Sequence, residues 1–447
     1  MSRWGAGLAD WSERYFPDAF VFALLAVAIV FCGGLLAGAG PLEMARAFGK
    51  GFWSLVPFTM QMAMVILGGY VVAVSPPVHG LIRRIARIPR TPRGAVAFTA
   101  LFAMLASLLS WGFSLIFSGL LVRELATRHR RVDFRALGAA AYLGLGSIWA
   151  LGLSSSAALM MATPDALPAA LKDVTGVLPL SRTLFLWQNL VLVVALVAVS
   201  VVVAWFSYPA EDRVRTAEDL DVRLQPPVVT VDAPATPGER LEHSRVLSLS
   251  VAALGIAYLA IVFAEKGGLA ALDLNTYNLA FLMLGMVLHG RPRSFLKAVS
   301  GAVPATGGVL VQFPFYGGIF GILTGTALSA LLADAFTSVT TPHTFPLFTA
   351  AYSAVLGLFV PSGGGKWVIE APYLLAAAGA HGTDAGWVVQ IYNAAEALPN
   401  LVNPFWMLPL MGLLNARARE LAGFSILQLL VHAPLVMLLC WALAYTF

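Results

Sequence analysis

The sequence predicts an all-α polytopic membrane protein, and three observations carry that prediction. Of 447 residues, 59% are hydrophobic and 11% are charged, where soluble domains carry about 25% charged residues. Apolar runs of about 20 residues, the length that crosses a bilayer, recur from end to end. Two of these runs are broken near their centres, at Ser110-Trp111-Gly112-Phe113-Ser114 and at Pro361-Ser362-Gly363-Gly364-Gly365-Lys366-Trp367. Three successive glycines hold a helix poorly, and a lysine is costly at membrane depth. The formal charge of +5 comes from loop arginines and forms no basic patch on a soluble domain. It argues against nucleic acid and for the lipid bilayer as a partner. Cys32 and Cys440 fall inside apolar runs, so both are expected as free, buried thiols.

Taken in order, residues 1–18 are polar and amphipathic, with Trp4, Trp11 and Tyr15. They lack a short apolar stretch followed by a small-residue cleavage site, so an uncleaved first span is expected from near Ala19. Plain spans are expected over roughly 19–39, 53–75, 136–162, 183–207, 246–265, 274–290, 304–333, 387–413 and 424–445. Residues 94–122 and 345–378 fit neither one span nor two with a turn, which need more than about 40 residues. Each holds its break near its centre and reads as a re-entrant helical hairpin. Arg83, Arg84, Arg87, Arg90 and Arg93 precede the first hairpin, and Arg123, Arg128, Arg130, Arg131 and Arg135 follow it. A hairpin keeps all of them on the cytoplasmic side, as the positive-inside bias requires. The flanks of the second, 334–344 and 379–386, hold no Lys or Arg and belong outside. Nine spans and two hairpins then place 22 Lys and Arg inside and five outside, with the N-terminus inside and the C-terminus outside.

The chain divides into a first half (1–207), a proline-containing cytoplasmic linker (208–245) and a second half (246–447) that opens with a linking span, 246–265. The halves echo each other at an offset near 250: Phe98-Thr99-Ala100 and Phe348-Thr349-Ala350, Thr91-Pro92 and Thr341-Pro342, Gln61 and Gln312, Ser110 and Ser362, Tyr142 and Tyr392. The linking span makes five crossings between equivalent points, so the second half is inverted. Inverted repeats with discontinuous helices are the pattern of secondary transporters.

The breaks carry the candidate chemistry. A helix that starts at mid-membrane presents unpaired N–H groups and the positive end of its dipole, which attract an anion. Ser362, Gly363, Gly364, Gly365, Lys366 and Trp367 form one candidate substrate site, with Ser110, Trp111, Gly112 and Ser114 as its uncharged counterpart. Small residues could instead serve close helix packing. Glu370, four residues after Lys366, could neutralise it in a structural ion pair. The span after each hairpin is interrupted too, at Gly152-Leu153-Ser154-Ser155-Ser156 and at Leu398-Pro399-Asn400-Leu401-Val402-Asn403-Pro404. Freed carbonyls with Ser154, Ser155, Ser156, Asn400 and Asn403 suit Na⁺ or a polar substrate, or are satisfied locally at a proline kink. Glu396 is the candidate proton-carrying carboxyl, because leaving water penalises its charged form; a structural hydrogen-bonded role stands beside this. His432 reads as a satisfied buried histidine, and Gln61 and Gln312 as helix–helix glue or substrate ligands. No CxxC, HExxH, Walker or GxSxG sequence occurs, so neither metal, cofactor nor enzymatic chemistry is expected beyond a coupling H⁺ or Na⁺. The remaining alternatives are a dicarboxylate transporter and, from another class, an intramembrane lipid-modifying enzyme.

The runs Gly51-Phe52-Trp53, Gln61-Met62-Ala63, Trp111-Gly112-Phe113, Leu310-Val311-Gln312-Phe313-Pro314-Phe315-Tyr316, Val360-Pro361-Ser362-Gly363-Gly364-Gly365, Trp367-Val368-Ile369 and Asn403-Pro404-Phe405-Trp406 are similar to those of the short-chain fatty acid transporter family, the acetoacetate and butyrate permeases of bacteria. The match runs in order over nearly the whole chain. It implies a short-chain carboxylate as substrate and the bacterial inner membrane as location. More distantly the layout resembles the ion transporter superfamily, which implies a scaffold domain, a moving transport domain carrying both hairpins, and a homodimer.

Overall fold

The computed structural model describes residues 19–222, 224, 236–360, 362–403, 405–416 and 418–447, and these are helical throughout, without a strand among them. The N-terminal segment with Trp4, Trp11 and Tyr15, the linker's residues 223 and 225–235, Pro361, Pro404 and Arg417 lie outside the described residues. The first half contains α1 (Ala19–Leu36), α2 (Pro41–Ser54), α3 (Val56–Ala73), α4 (Pro76–Ile85), α5 (Pro92–Leu109), α6 (Trp111–Arg128), α7 (Phe134–Leu143), α8 (Ser156–Ala162), α9 (Ala169–Thr175) and α10 (Trp187–Phe206). After α11 (Pro237–Glu242) the second half contains α12 (Arg245–Lys266), α13 (Leu274–His289), α14 (Pro292–Ala302), α15 (Gly307–Gly325), α16 (Leu328–Val339), α17 (Phe345–Phe359), α18 (Gly363–His381), α19 (Ala385–Asn400), α20 (Leu408–Leu414) and α21 (Ala418–Leu443).

Local signals place these boundaries. Proline at or beside the first position fixes φ for α2, α3, α4, α5 and α14, where no N–H partner is lost. Side-chain caps start α5 (Thr91), α6 (Ser110), α7 (Asp133), α8 (Ser155), α12 (Ser244), α13 (Asp273), α18 (Ser362) and α19 (Asp384), each accepting a first-turn N–H.

Seven helical runs among the described residues are long and apolar enough to cross a bilayer: Pro41–Ala73, Pro92–Leu109, Phe134–Ala162, Trp187–Phe206, Arg245–Lys266, Pro292–Gly325 and Glu420–Thr446. Several differ from the expected spans. The span expected from 53 continues a helical run that begins at Pro41, and the one expected over 304–333 ends at Gly325 and restarts at Leu328. Burial separates them into two classes. The apolar window of Phe134–Ala162 is 94% buried, whereas that of Arg245–Lys266 is 17% buried. A helix apolar all round is stable at a protein's edge where its surroundings are hydrocarbon. Cys32 lies on such an edge: it is free but exposed on α1, which corrects the expectation of a buried thiol, while Cys440 on α21 is free and buried as expected. Apolar character told the solvent of the helix, lipid or core, only ambiguously.

Both broken segments form antiparallel helix pairs, with arms reaching beyond the expected 94–122 and 345–378. In the first, Ser114 Oγ donates to Ala103 O at 2.6 Å across the pair. Its mouth closes where a His129 ring nitrogen meets Pro89 O at 3.1 Å. In the second, Tyr352 and Tyr373 pair through their hydroxyls at 3.0 Å, and its mouth closes where Thr340 Oγ1 meets His381 Nε2 at 2.9 Å. The mouths lie at opposite ends of α10. Arg93 sits over the Tyr208 ring at 5.8 Å, just past Phe206. Gln188, at the other end, donates to Thr446 at 2.9 Å, beside Tyr445, whose ring stacks on His343 at 5.5 Å. Twenty helical residues separate these ends by about 30 Å.

Candidate functional site

The tips of the two pairs are built alike. The backbone leaves helical φ/ψ at Ser110 (φ −159°, ψ 123°) and at Ser362 (φ −149°, ψ 100°), and each serine then caps the helix that follows. Ser110 Oγ accepts from Phe113 N at 3.3 Å, and Ser362 Oγ accepts from Gly365 N at 3.2 Å. As acceptors both hydroxyls keep their own proton to donate. Gly112 opens α6 among buried neighbours. Ser114 lies further along, and its proton goes to Ala103 O, so it fastens the hairpin and does not line the tip.

The interrupted spans cross against the opposite hairpin's tip. Between α7 and α8 the chain makes a π turn (Gly144–Ile148) and a 3₁₀ turn (Trp149–Leu151), then extends through Gly152 before restarting at Ser156. The interruption is longer than the five residues expected. Ser154 Oγ accepts the Trp111 N–H at 2.9 Å, and Leu153 N donates to Leu108 O at 2.7 Å, which ties this stretch to the first tip. Ser155 is committed to capping α8, accepting from Ala158 N at 3.3 Å. At the second tip the three glycines lie under aromatic rings. A Cβ at Gly363 would run into Trp149, one at Gly364 would lie 2.9 Å from Phe58 Cζ and 3.1 Å from Ser156 Cβ, and one at Gly365 would collide with Tyr316. The triple glycine is therefore a close-packing device in this closed arrangement. In the second interruption, Pro399 stays inside α19, which continues to Asn400; the expected break at Leu398–Pro399 thus begins at Leu401. Tyr142 Oη donates to Asn400 O at 2.9 Å, the Asn400 side-chain oxygen is buried without a hydrogen-bond partner, and Asn403 is buried beside it in the chain. Past this break Trp406 meets Trp111 of the first tip edge-on at 5.6 Å.

Beside the second tip lies a charged cluster fully shut from solvent. Lys366, Glu370 and Glu396 are 0%, 0% and 1% exposed. Lys366 Nζ lies 3.3 Å from Glu370 Oε1, the partner expected from the sequence, and 2.6 Å from Glu396 Oε2, which is nearer. It also donates to Ser353 O at 2.6 Å and sits 4.6 Å from the centroid of the Tyr392 ring. Ser353 Oγ donates to Glu370 Oε2. Tyr392 Oη donates to Gly363 O at 2.6 Å, and its ring lies 4.8 Å from that of Trp367, which is fully buried. A Cβ at Gly357 would meet Pro399 Cγ at 2.6 Å and Glu396 Oε2 at 3.1 Å. Ser353, Gly357 and Tyr392 were not singled out as site residues from the sequence; their signals are the i, i+4 spacing of Ser353 and Gly357 on one face of α17 and the pairing of Tyr392 with Tyr142 in the repeat.

The other polar residues resolve as helix contacts. His432 is buried and shares a 2.8 Å hydrogen bond with Ser200 Oγ. Gln61 donates to Asn275 Oδ1 at 2.8 Å, joining α3 to α13, and Gln312 accepts from Tyr316 Oη at 3.4 Å, one turn along α15. Among the described residues no three His, Cys, Asp or Glu side chains gather as a metal site.

The model of a family described as short chain fatty acid transporter matches residues 1–443. A protein of Escherichia coli K12, whose name assigns it provisionally as a short-chain fatty acid transporter, is 37% identical over 425 residues, 94% of each chain. A Haemophilus influenzae protein of the same name is 33% identical over 444 residues, covering 97% of this chain and 98% of its own. Among solved structures, the Alcanivorax borkumensis YdaH transporter superposes with a TM-score of 0.59 at 14% identity, over 94% of this chain and 98% of that one. Neisseria gonorrhoeae MtrF, described as belonging to a class of antimetabolite efflux pumps, superposes with a TM-score of 0.58 at 14% identity, over 98% and 96%. At such identity the likeness speaks to the fold alone.

Proposed function

The chain belongs to the short-chain fatty acid transporter family, and from that premise we propose that it is a secondary active transporter. Its cargo is a short-chain monocarboxylate of the acetoacetate or butyrate type, and its location is the bacterial cytoplasmic membrane. The observation that carries this reading is Lys366, fully buried at the first turn of a helix that begins inside the molecule, at a serine-capped tip. A carboxylate at that tip meets three kinds of donor: the first N–H groups of α18, the Ser362 hydroxyl and the Lys366 ammonium. Lys366 is the one buried Lys or Arg among the described residues, which favours a cargo with one negative charge over a dicarboxylate. Trp111, Phe113 and Trp367 offer apolar surface to a short acyl tail. The coupling ion is taken by Glu396 or by the oxygens of the interrupted spans, Ser154, Ser155, Ser156, Asn400 and Asn403.

In the membrane, α5–α6 enters and leaves from the cytoplasm and α17–α18 from the outside, as an inverted repeat of nine spans and two re-entrant hairpins, with the N-terminus inside and the C-terminus outside. Closed mouths at opposite ends of α10 support this topology, as do the reciprocal contacts of each tip with the other half's interrupted span. A homodimer with a fixed scaffold and a moving hairpin-bearing part completes the proposal. The direct test is exchange of labelled butyrate or acetoacetate across proteoliposomes against unlabelled acid inside. Lys366→Ala and Ser362→Ala should each abolish it. Undiminished exchange in both variants would sink the site assignment.

A further inference from the structure

Lys366 is already engaged. Its ammonium is held by two carboxylates and a carbonyl, at 2.6 Å from Glu396 Oε2, 3.3 Å from Glu370 Oε1 and 2.6 Å from Ser353 O. No incoming carboxylate can pair with it without displacing one of these partners. The two glutamates are not equivalent as leaving partners. Glu370 keeps the Ser353 hydroxyl when Lys366 turns away. Glu396 has no such second donor: its Oε1 is buried without a hydrogen-bond partner, and among the described residues Lys366 is its only cation. A carboxylate left bare at 1% exposure is costly, and it neutralises instead.

We infer that Lys366, Glu370 and Glu396 form a proton-for-carboxylate exchange site, in which the substrate takes Glu396's place on Lys366 as Glu396 takes a proton. The inference rests on the reading of this chain as a monocarboxylate transporter and adds the identity and stoichiometry of the coupling ion. The charges balance. Before binding, one ammonium and two carboxylates sum to −1. Binding RCOO⁻ and one H⁺ adds zero: the Lys366–Glu396 pair separates, Lys366 pairs with RCOO⁻, and the proton forms an O–H bond on Glu396. Transport is then electroneutral, one proton with each acid anion. Of the neighbouring titratable groups only Glu370 is a second carboxylate, and it keeps the Ser353 hydroxyl as its donor. Tyr316 comes from α15, Tyr352 from α17, Lys366, Glu370 and Tyr373 from α18, and Tyr392 from α19 itself, while His432 of α21 turns to Ser200 of α10. The stretch 144–151 and α8 bring no titratable side chain. Glu396 borders Gly357 together with Pro399 Cγ and borders Gly363 together with the Trp149 ring, apolar company that suits a proton better than a cation that needs a shell of oxygens.

The test uses purified full-length protein in proteoliposomes, with protein-free vesicles subtracted to remove passive entry of the acid form. Wild-type initial uptake should rise with an inward proton gradient, ignore Na⁺, ignore a potential clamped with valinomycin and K⁺, and move one proton per acid. Glu396→Gln, which mimics the protonated side chain but cannot release a proton, should lower proton-driven net uptake at least about tenfold more than it lowers exchange of labelled for unlabelled acid. Glu396→Asp should recover part of the net uptake. If wild type exchanges acid but its net uptake follows Na⁺ or the potential, or if Glu396→Gln keeps proton-driven uptake, the exchange site is overturned and the transport reading stands. If Glu396→Gln shows no exchange either, the wild-type proton count decides: electroneutral uptake with one proton supports the site, and any net charge moved overturns it. If wild type exchanges no short-chain acid, the transport reading itself fails.

Discussion

At the scale of single residues, the cluster around Lys366 is held by steric as well as electrostatic means. Gly357 lets α17 approach Pro399 and Glu396 where a methyl group would lie 2.6 Å from one and 3.1 Å from the other. Gly357→Ala should therefore overpack this contact and lower stability by about 1–3 kcal/mol. A clear fall in the melting temperature of detergent-purified protein is expected, and an unchanged midpoint would show that α17 gives way freely. Removing Lys366 leaves two buried carboxylates without their cation, a loss of the kind that costs about 3–5 kcal/mol. The two thiols report the periphery and the core: Cys32, on the lipid-facing edge, should react with a membrane-permeant maleimide in the folded protein, and Cys440 only after denaturation. The Lys366–Glu370 pair was legible in the sequence because i, i+4 spacing puts both on one helical face. Glu396 was legible as an uncommon buried carboxyl but not as the nearer partner of Lys366. Thirty residues and a helix reversal separate the two, and only packing brings them together.

At the scale of elements, the serine caps explain why two apolar stretches break where they do. An N-cap serine replaced by alanine costs about 1 kcal/mol, and by glycine only a few tenths. Ser362→Gly should thus retain more stability than Ser362→Ala, while both lose transport if the hydroxyl also donates to the substrate. Transport retained in Ser362→Gly alone would confine Ser362 to the cap. The hairpin breaks were visible from composition, since serine and glycine runs compete poorly as helix interior. The interruption between α7 and α8 proved longer than its sequence suggested, starting at Gly144. Its π and 3₁₀ turns follow from backbone contact with the first hairpin, Leu153 N to Leu108 O and Trp111 N to Ser154 Oγ, which no local pattern encodes. Pro399 was expected to break α19 and does not: it costs the helix one N–H to the carbonyl a turn back, and the helices packed around this fully buried turn hold it in place.

At the scale of the whole molecule, the proposed inverted topology makes a simple demand on sidedness. In a chain lacking Cys32 and Cys440, single cysteines at the exposed positions Arg90 and Arg130 should label with an impermeant maleimide from the cytoplasmic side of oriented vesicles, and one at Pro342 from the opposite side. Arg90 and Arg130 on different faces would turn the first hairpin into a full crossing and remove the mirror relation between the halves. The sequence by itself determined that the chain is helical, lives in a membrane, breaks at two glycine- and serine-rich tips and carries a lone lysine beside one of them. Those features are local, being written in the run of apolar residues, in cap chemistry and in the loss of helix at consecutive glycines. Only the tertiary structure decided which carboxylates share that lysine, that aromatic rings close over the glycines, and that each tip meets the other half's interrupted span. These are contacts between distant segments, fixed by how whole helices pack and left open by the properties of any one of them.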